Sequence, residues 1–238
     1  MTSAFKRKVV SVGIATALML SQGAAIGGSP DDTKSGAAWW QWALSIPSGV
    51  NPTLDADGAN CMVGQNGDVW YLAGLFGASG TVAVTRDCDV PAGVTLFVPV
   101  FNFVNIDTPN VCGQGPDRIS VKDLRAFAAT QIDGATNLSV TVDGNNVKKI
   151  KRIKSEVFAA TLPEDNLFDA PCVAYLGPVL GDVPGGVYAP AIDDGYYAQV
   201  NGLKPGAHVI QIHAENPSGG LTSLDVTYNL EVVAVPKH

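Results

Sequence analysis

Apolar residues in this chain gather into short runs with a period near two, separated by Gly, Pro, Asn and Asp. Val69-Trp70-Tyr71-Leu72-Ala73-Gly74 and Thr81-Val82-Ala83-Val84-Thr85 are rich in β-branched and aromatic residues, which suit a pleated, half-buried surface. Val90-Pro91-Ala92-Gly93 reads as a tight turn, and Val94 to Val104 as a long apolar strand interrupted by Pro99. Proline cannot donate to a ladder, so Pro99 marks an edge position or a bulge. Leu138-Ser139-Val140-Thr141-Val142 alternates and turns at Asp143-Gly144. The last third predicts strands over Tyr196 to Val200, His208 to Ala214 and Leu224 to Val235, with turns at Pro205-Gly206 and Pro217-Ser218-Gly219-Gly220.

Two segments switch to helical spacing. A short helix is expected from Ala37 to Ser45, stopped by Pro47 and carrying Trp39, Trp40 and Trp42. A second begins at the N-cap Ser120, with Asp123 three residues on and an apolar stripe of Val121, Leu124, Phe127 and Ala128. Many short strands with one or two inserted helices predict a mainly β fold. The expected architecture is an antiparallel β-sandwich, immunoglobulin-like or jelly-roll-like, forming one domain over residues 37–238. Residues 26–36 are rich in Gly, Ser, Pro and Asp and are expected to be a flexible lead-in.

The N-terminus has a different character. Lys6, Arg7 and Lys8 precede an apolar run from Val9 to Leu20, and Gly23, Ala24 and Ala25 follow. Basic, apolar and small-residue regions in that order are the layout of a secretory signal, here residues 1–25. The run is shorter than the roughly 20 apolar residues a membrane-spanning helix needs. A secreted or periplasmic protein is therefore expected, with no membrane insertion once the signal is removed. Four widely spaced cysteines, Cys61, Cys88, Cys112 and Cys172, contain no C-x-x-C pair. In an oxidising compartment they predict two disulfides. Three connectivities are open, of which nearest-neighbour pairing, Cys61 with Cys88 and Cys112 with Cys172, is preferred.

Removing residues 1–25 leaves 12 basic against 22 acidic residues, a net charge of −10. Such a surface repels phosphate backbones and anionic lipid, so nucleic acid is not an expected partner. The exception is Lys148, Lys149, Lys151, Arg152 and Lys154, five cations within seven residues. They suit either a sulfated or acidic polymer or a solvated strand whose lysines discourage edge pairing, and the second reading is preferred.

Candidate chemistry is sparse. No G-x-S-x-G elbow is present, Gly113-Gln114-Gly115 lacks the rest of a dinucleotide motif, and no cofactor is expected. His208 and His213 are five residues apart on one strand, so they should point to opposite faces and not share a metal. Asp55, Asp57 and Asn60 resemble part of a calcium loop, but the spacing fails the full pattern, and an Asx-rich turn is the preferred reading. Asp193-Asp194 could supply one member of a glycosidase pair, with Glu156 or Asp225 as partner, although Asp-Gly here more simply reads as a turn. Trp39, Trp40 and Trp42 could form an aromatic platform for sugar rings. Trp at i, i+3 on a short helix is, however, more simply an anchor buried against a sheet.

Several phrases are similar to a family of exported bacterial proteins without an established activity. They are Trp39-Trp40-Gln41-Trp42-Ala43, Val69-Trp70-Tyr71-Leu72-Ala73-Gly74, Cys88-Asp89-Val90-Pro91-Ala92-Gly93 and Leu96-Phe97-Val98-Pro99-Val100. Val142-Asp143-Gly144, Asp194-Gly195-Tyr196-Tyr197, Leu203-Lys204-Pro205-Gly206-Ala207-His208 and Leu224-Asp225-Val226-Thr227-Tyr228-Asn229-Leu230 continue the likeness towards the C-terminus. The resemblance implies an exported domain that fills the whole chain and assigns no catalytic residue. The sequence leaves two expectations. One is a non-enzymatic β-sandwich that binds a glycan or protein ligand or serves the envelope, its oligomeric state open. The other is an exported hydrolase acting on glycans through paired carboxylates.

Overall fold

The computed structural model describes residues 32–234. The expected signal, residues 1–25, lies outside the described residues. Helix α1 (Asp32–Ser45) starts inside the expected lead-in, ahead of Ala37. Ten strands then form two five-stranded sheets. The first runs β1 (Val69–Tyr71), β3 (Thr95–Ile106), β8 (Gly186–Val200), β6 (Ile150–Lys154). Here β7 (Phe158–Leu162) also pairs with β8, taking Gly186 to Ala191 while β6 takes Asp194 to Ala198. The second sheet runs β2 (Gly80–Pro91), β10 (Leu221–Val233), β9 (Gly206–Asn216), β4 (Thr136–Val142), β5 (Asn145–Asn146).

The protein is mainly β, as expected, but its sheets are mixed and not wholly antiparallel. β1 pairs with β3, and β2 with β10, in parallel. The reason is the path of the chain, which leaves the first sheet for β2 in the second and returns as β3 in the direction of β1. Between the sheets, Leu96, Val98, Val100, Ala198 and Val200 pack on Ile210, Ile212, Val226, Tyr228 and Leu230. The opposite face of the first sheet is covered by α1, with Trp39, Trp42, Ala43 and Leu44 in one cluster with Phe97, Val104, Ala191 and Tyr197. Helix α2 (Val121–Ile132) packs through Leu124 and Ala128 on Ile192 and Phe103. Its buried stripe is Leu124, Ala128, Ile132, so Phe127 is 53% exposed instead of lying in the core. Four-residue steps keep those three in line, and Phe127 falls beside them.

Pro99 sits at a bulge. It aligns with Tyr197, while Phe101 aligns with Tyr196, so β3 carries one extra residue there. The disulfides are Cys61–Cys88 and Cys112–Cys172, and among the described residues no cysteine is free. Strand β2 runs through Pro91, and the chain turns at Ala92-Gly93. The Asp193-Asp194-Gly195 turn expected from sequence is instead the middle of β8. Strand β7 and helix α3 (Asp169–Leu176) were not anticipated. Among the described residues no helix is long and apolar enough to cross a membrane.

Candidate functional site

Strand β1 is three residues long and covers β3 only along Thr95 to Phe97. Beyond it the outer edge of β3 borders a cleft of about 350 Å³. Residues Pro99 to Val104 line one side, Gly74 to Ala78 another, and Asn216, Gly219, Leu221 and Leu224 of the second sheet a third. Trp39 and Trp40 of α1, Phe168, Thr53 and Gln131 complete it. Six aromatic residues and four uncharged polar ones, Thr53, Asn102, Gln131 and Asn216, therefore line the cleft, and none of its lining residues is ionisable.

Directional bonds fix these walls. The Trp39 indole donates to the Leu72 carbonyl (2.9 Å), Trp40 to Asp193 Oδ1 (2.9 Å) and Trp42 to the Val63 carbonyl (3.0 Å). All three tryptophans are buried, at 2%, 4% and 6% exposure. Trp39 and Trp40 present part of their surface to the cleft, whereas Trp42 lies away from it, 5.3 Å between ring centroids from Tyr71. Asn51 caps the end of α1 by donating to the carbonyls of Ala43 and Ile46, both at 2.8 Å. Its own carbonyl accepts from the amide and hydroxyl of Thr53, and the Thr53 carbonyl accepts from the amide of Phe76 at 3.0 Å. The Ala73-Gly74 segment is pegged from the second sheet. Arg86 Nη1 donates to both of its carbonyls (2.7 and 3.0 Å), and the Tyr228 hydroxyl exchanges bonds with the amide and carbonyl of Ala73. Arg86 is buried, and among the described residues no carboxylate bonds to it: Nε donates to the Asp55 carbonyl and Nη2 has no partner.

A buried acid stands behind the cleft. Asn102 donates to the Tyr197 hydroxyl (3.0 Å), which donates to Asp193 Oδ1 (2.8 Å), the atom that also receives Trp40. Asp193 is 0% exposed, and burial pushes its pKa up to about 8 against the pull of those two hydrogen bonds. Burial and the adjoining Asp193 also hold the Tyr197 phenol well above its ordinary value. Asp193 Oδ2 has no partner, and a Cβ added at Gly36 would lie 2.5 Å from it, so only glycine lets α1 approach this closely. Asp194 points to the other face, where Arg152 grips it in bidentate fashion (2.7 and 2.8 Å) and also reaches Asp133 (2.7 Å). The two carboxylates are thus on opposite faces. Glu156 is exposed and Asp225 is engaged by His213 at 2.7 Å, so neither joins Asp193 across a groove.

The remaining sequence candidates are placed in structural roles. Asp55 accepts the amides of Asp57 (3.1 Å) and Asn60 (2.8 Å), and Asp57 accepts that of Ala59 (3.1 Å). Burial raises the Asp55 pKa, but these amides together draw it below its usual value. The carboxylate is committed to shaping the turn, and among the described residues no group of three His, Cys, Asp or Glu is arranged to hold a metal ion. His208 bridges Asp143 (2.7 Å) and the Lys204 carbonyl (2.9 Å) at the end of β9. Asn102, Thr53, Phe76, Gln131, Asn216 and Arg86 carried no sequence signal, because their shared role depends on segments distant in the chain.

No protein-family model matches the chain, and no curated protein does. Among solved structures it is similar to the solution structure of Amebosin, at 12% identity over 65% of this chain and 100% of that one, with a TM-score of 0.16, a likeness too slight to carry an argument.

Proposed function

We propose that this is an exported, non-enzymatic β-sandwich protein that binds a neutral ligand in the cleft along the open edge of β3. The ligand presents an apolar face to the aromatic lining and a few hydroxyl or amide groups to Thr53, Asn102, Gln131 and Asn216, which is the description of a neutral saccharide. The observation that carries this reading is the lining itself: six aromatic residues, four uncharged polar ones and no ionisable residue. The volume falls within the range of about 300–1,000 Å³ usual for small-molecule sites. Two disulfides and the basic-apolar-small N-terminus support export. A carboxylate hydrolase is favoured by one feature, the raised pKa of Asp193. That acid is sealed beneath Trp40 and Tyr197, and a glycosidase would need a second carboxyl facing it about 5 to 9.5 Å away.

Thermal unfolding against a panel of neutral and charged oligosaccharides, with divalent cations and EDTA as controls, tests the reading. A ligand at 100 times its Kd stabilises the folded state by about 2.7 kcal/mol. A neutral oligosaccharide should raise Tm, and Ala78→Trp, which fills the cleft from its wall, should abolish the shift. A flat response to every neutral saccharide, or an undiminished one in the filled variant, would reject the cleft as the site.

A further inference from the structure

We propose that the protein forms a symmetric dimer through the open edge of β2, Thr81 to Thr85 of one copy pairing antiparallel with the same residues of a second copy about Ala83. β2 is the outermost strand of the second sheet, with β10 as its one neighbour. The other sheet edges are blunted. β1 and β5 are three and two residues long, and β6 carries Lys151, Arg152 and Lys154. β7 packs against α1, whose Gln41 donates to the Ala159 carbonyl. Gly80 to Thr85 has none of these devices: no charge, no proline and no extra residue of its own. A bare edge of that kind is a template for another strand.

Backbone direction fixes which groups the edge offers. The Gly80 amide donates inward to the Gly220 carbonyl at 2.8 Å, and the polar groups of successive strand residues alternate between its two sides. Those of Thr81, Ala83, Thr85 and Asp87 therefore point away from β10. The Asp87 amide donates outward to the Asp57 carbonyl at 2.8 Å, and Gly58 lies on the Asp87 backbone, so the 55–60 turn closes the edge there. Among the described residues, Thr81, Ala83 and Thr85 have no backbone partner on that side.

The open segment reads Thr-Val-Ala-Val-Thr in either direction. Turned about Ala83, it sets Thr81 against Thr85 of the second copy, Val82 against Val84, and Ala83 against itself. The outward-pointing residues then face one another and exchange hydrogen bonds in both directions. Threonine meets threonine on one face and valine meets valine on the other, pairs that stabilise sheets. Self-complementarity of this kind is what a two-fold interface requires. Val82 and Val84 turn towards the inter-sheet layer but are only half-buried, whereas Cys88 and Val90 on the same face are buried. A second strand covers them. Charge permits the contact although the protein is acidic. Asp225, level with Ala83 on β10, would stand about 14 Å from its copy, beyond the Debye length of about 8 Å at physiological ionic strength. The two Asp87 side chains lie at opposite ends of the pairing. No residue of β2 lines the cleft beside β3, so the dimer stands or falls separately from ligand binding there.

Sedimentation equilibrium of the exported protein from about 1 µM to about 1 mM tests this. So short a pairing belongs at the small end of specific interfaces, with a Kd on the order of 100 µM, and the mean mass should climb from monomer towards dimer within that range. Ala83→Lys sets two ammonium groups face to face at the dyad and should weaken the dimer about tenfold or more, with Tm of the dilute protein unchanged. The register has its own readout. Ala83 and its copy would have Cα atoms about 5.5 Å apart, within disulfide reach, so Ala83→Cys should cross-link in a glutathione redox buffer. Thr81→Cys, about 14 Å from its copy, should not. A monomer throughout the range, a dimer undiminished by Ala83→Lys, or equal or absent cross-linking of the two cysteine variants would overturn the proposal.

Discussion

The first sheet is packed differently on its two faces. Towards the second sheet it meets mostly aliphatic side chains in simple alternation, and Leu224, Val226, Tyr228, Leu230 and Val232 bury every second residue of β10. Towards α1 it meets a chain of rings, Trp40, Trp39, Trp42, Tyr71, Phe97 and Tyr197, with successive centroids 4.8 to 6.2 Å apart. Aliphatic side chains fill space without direction. Rings pack edge to face and carry N–H and O–H groups that need partners, so they bring bound polar atoms into the layer. The inter-sheet layer holds the Arg86–Tyr228 pair and the buried Trp70 indole, and the aromatic layer holds a carboxyl, Asp193. The cleft lies where the two layers meet at the uncovered edge of β3, and it takes lining residues from both. Each layer's hydrophobic cluster also includes one disulfide, Cys61–Cys88 in the inter-sheet cluster and Cys112–Cys172, from α3, in the cluster that holds the α1 tryptophans.

The largest effect expected from this contrast is in the aromatic layer, through Asp193. Burial lifts its pKa from 3.8 to about 8, so between those values the folded protein holds a proton that the unfolded chain has lost. Stability must then fall as pH rises through that window and level off above it, at up to about 1.4 kcal/mol per pH unit. Asp193→Asn keeps the shape, removes the titration and should flatten the profile, making the variant the more stable protein at pH 8. Urea unfolding at a series of pH values measures this, and parallel profiles for the two proteins would show that Asp193 titrates normally.

A smaller loss is expected in the inter-sheet layer. Arg86→Leu removes the guanidinium donor from the carbonyls of Gly74 and Asp55, leaves that of Ala73 to the Tyr228 hydroxyl alone, and should cost about 3 kcal/mol. Faster hydrogen exchange should appear at Leu72 and Phe76, whose amides bond to Phe97 and Thr53 beside the pegged segment. An unchanged exchange pattern would mean that Arg86 does not hold the cleft wall. The smallest effect lies outside both layers. Asp143 and the Lys204 carbonyl raise the pKa of His208, so this contact stabilises fully below the ordinary value of 6.5 and is lost as pH climbs through the raised folded value. His208→Gln should lose less than about 1 kcal/mol, and only at acid to neutral pH, because the partner is partly exposed.

The same contrast explains what could be read in the sequence. β9, β10 and the capped start of α2 were legible because period-two burial and the Ser120–Asp123 bond are local. The mixed direction of the sheets was not, since it follows from the order in which the chain visits them. β8 was misread at Asp193-Asp194-Gly195 because two adjacent acids and a glycine are ordinary turn residues. Their carboxylates are held in a central strand by Tyr197 on the same strand and by Arg152 and Trp40, partners 42 and 153 residues away in the chain. Gly195 is needed there for a different reason, as a Cβ would come 2.7 Å from Asn102 Cα. The tryptophans were recognisable as anchors, but the cleft that two of them line draws on segments from Trp39 to Leu224 and exists only once they meet.

The most direct test of the cleft as the binding site follows the four indole N–H resonances in an ¹⁵N correlation spectrum during titration with the neutral oligosaccharide panel. Trp39 and Trp40 line the cleft, whereas Trp42 and Trp70 do not and serve as internal references. A binding saccharide should move the Trp39 and Trp40 signals and leave the other two in place. Movement of Trp42 or Trp70 alone, or no movement of any indole across the panel, would contradict it.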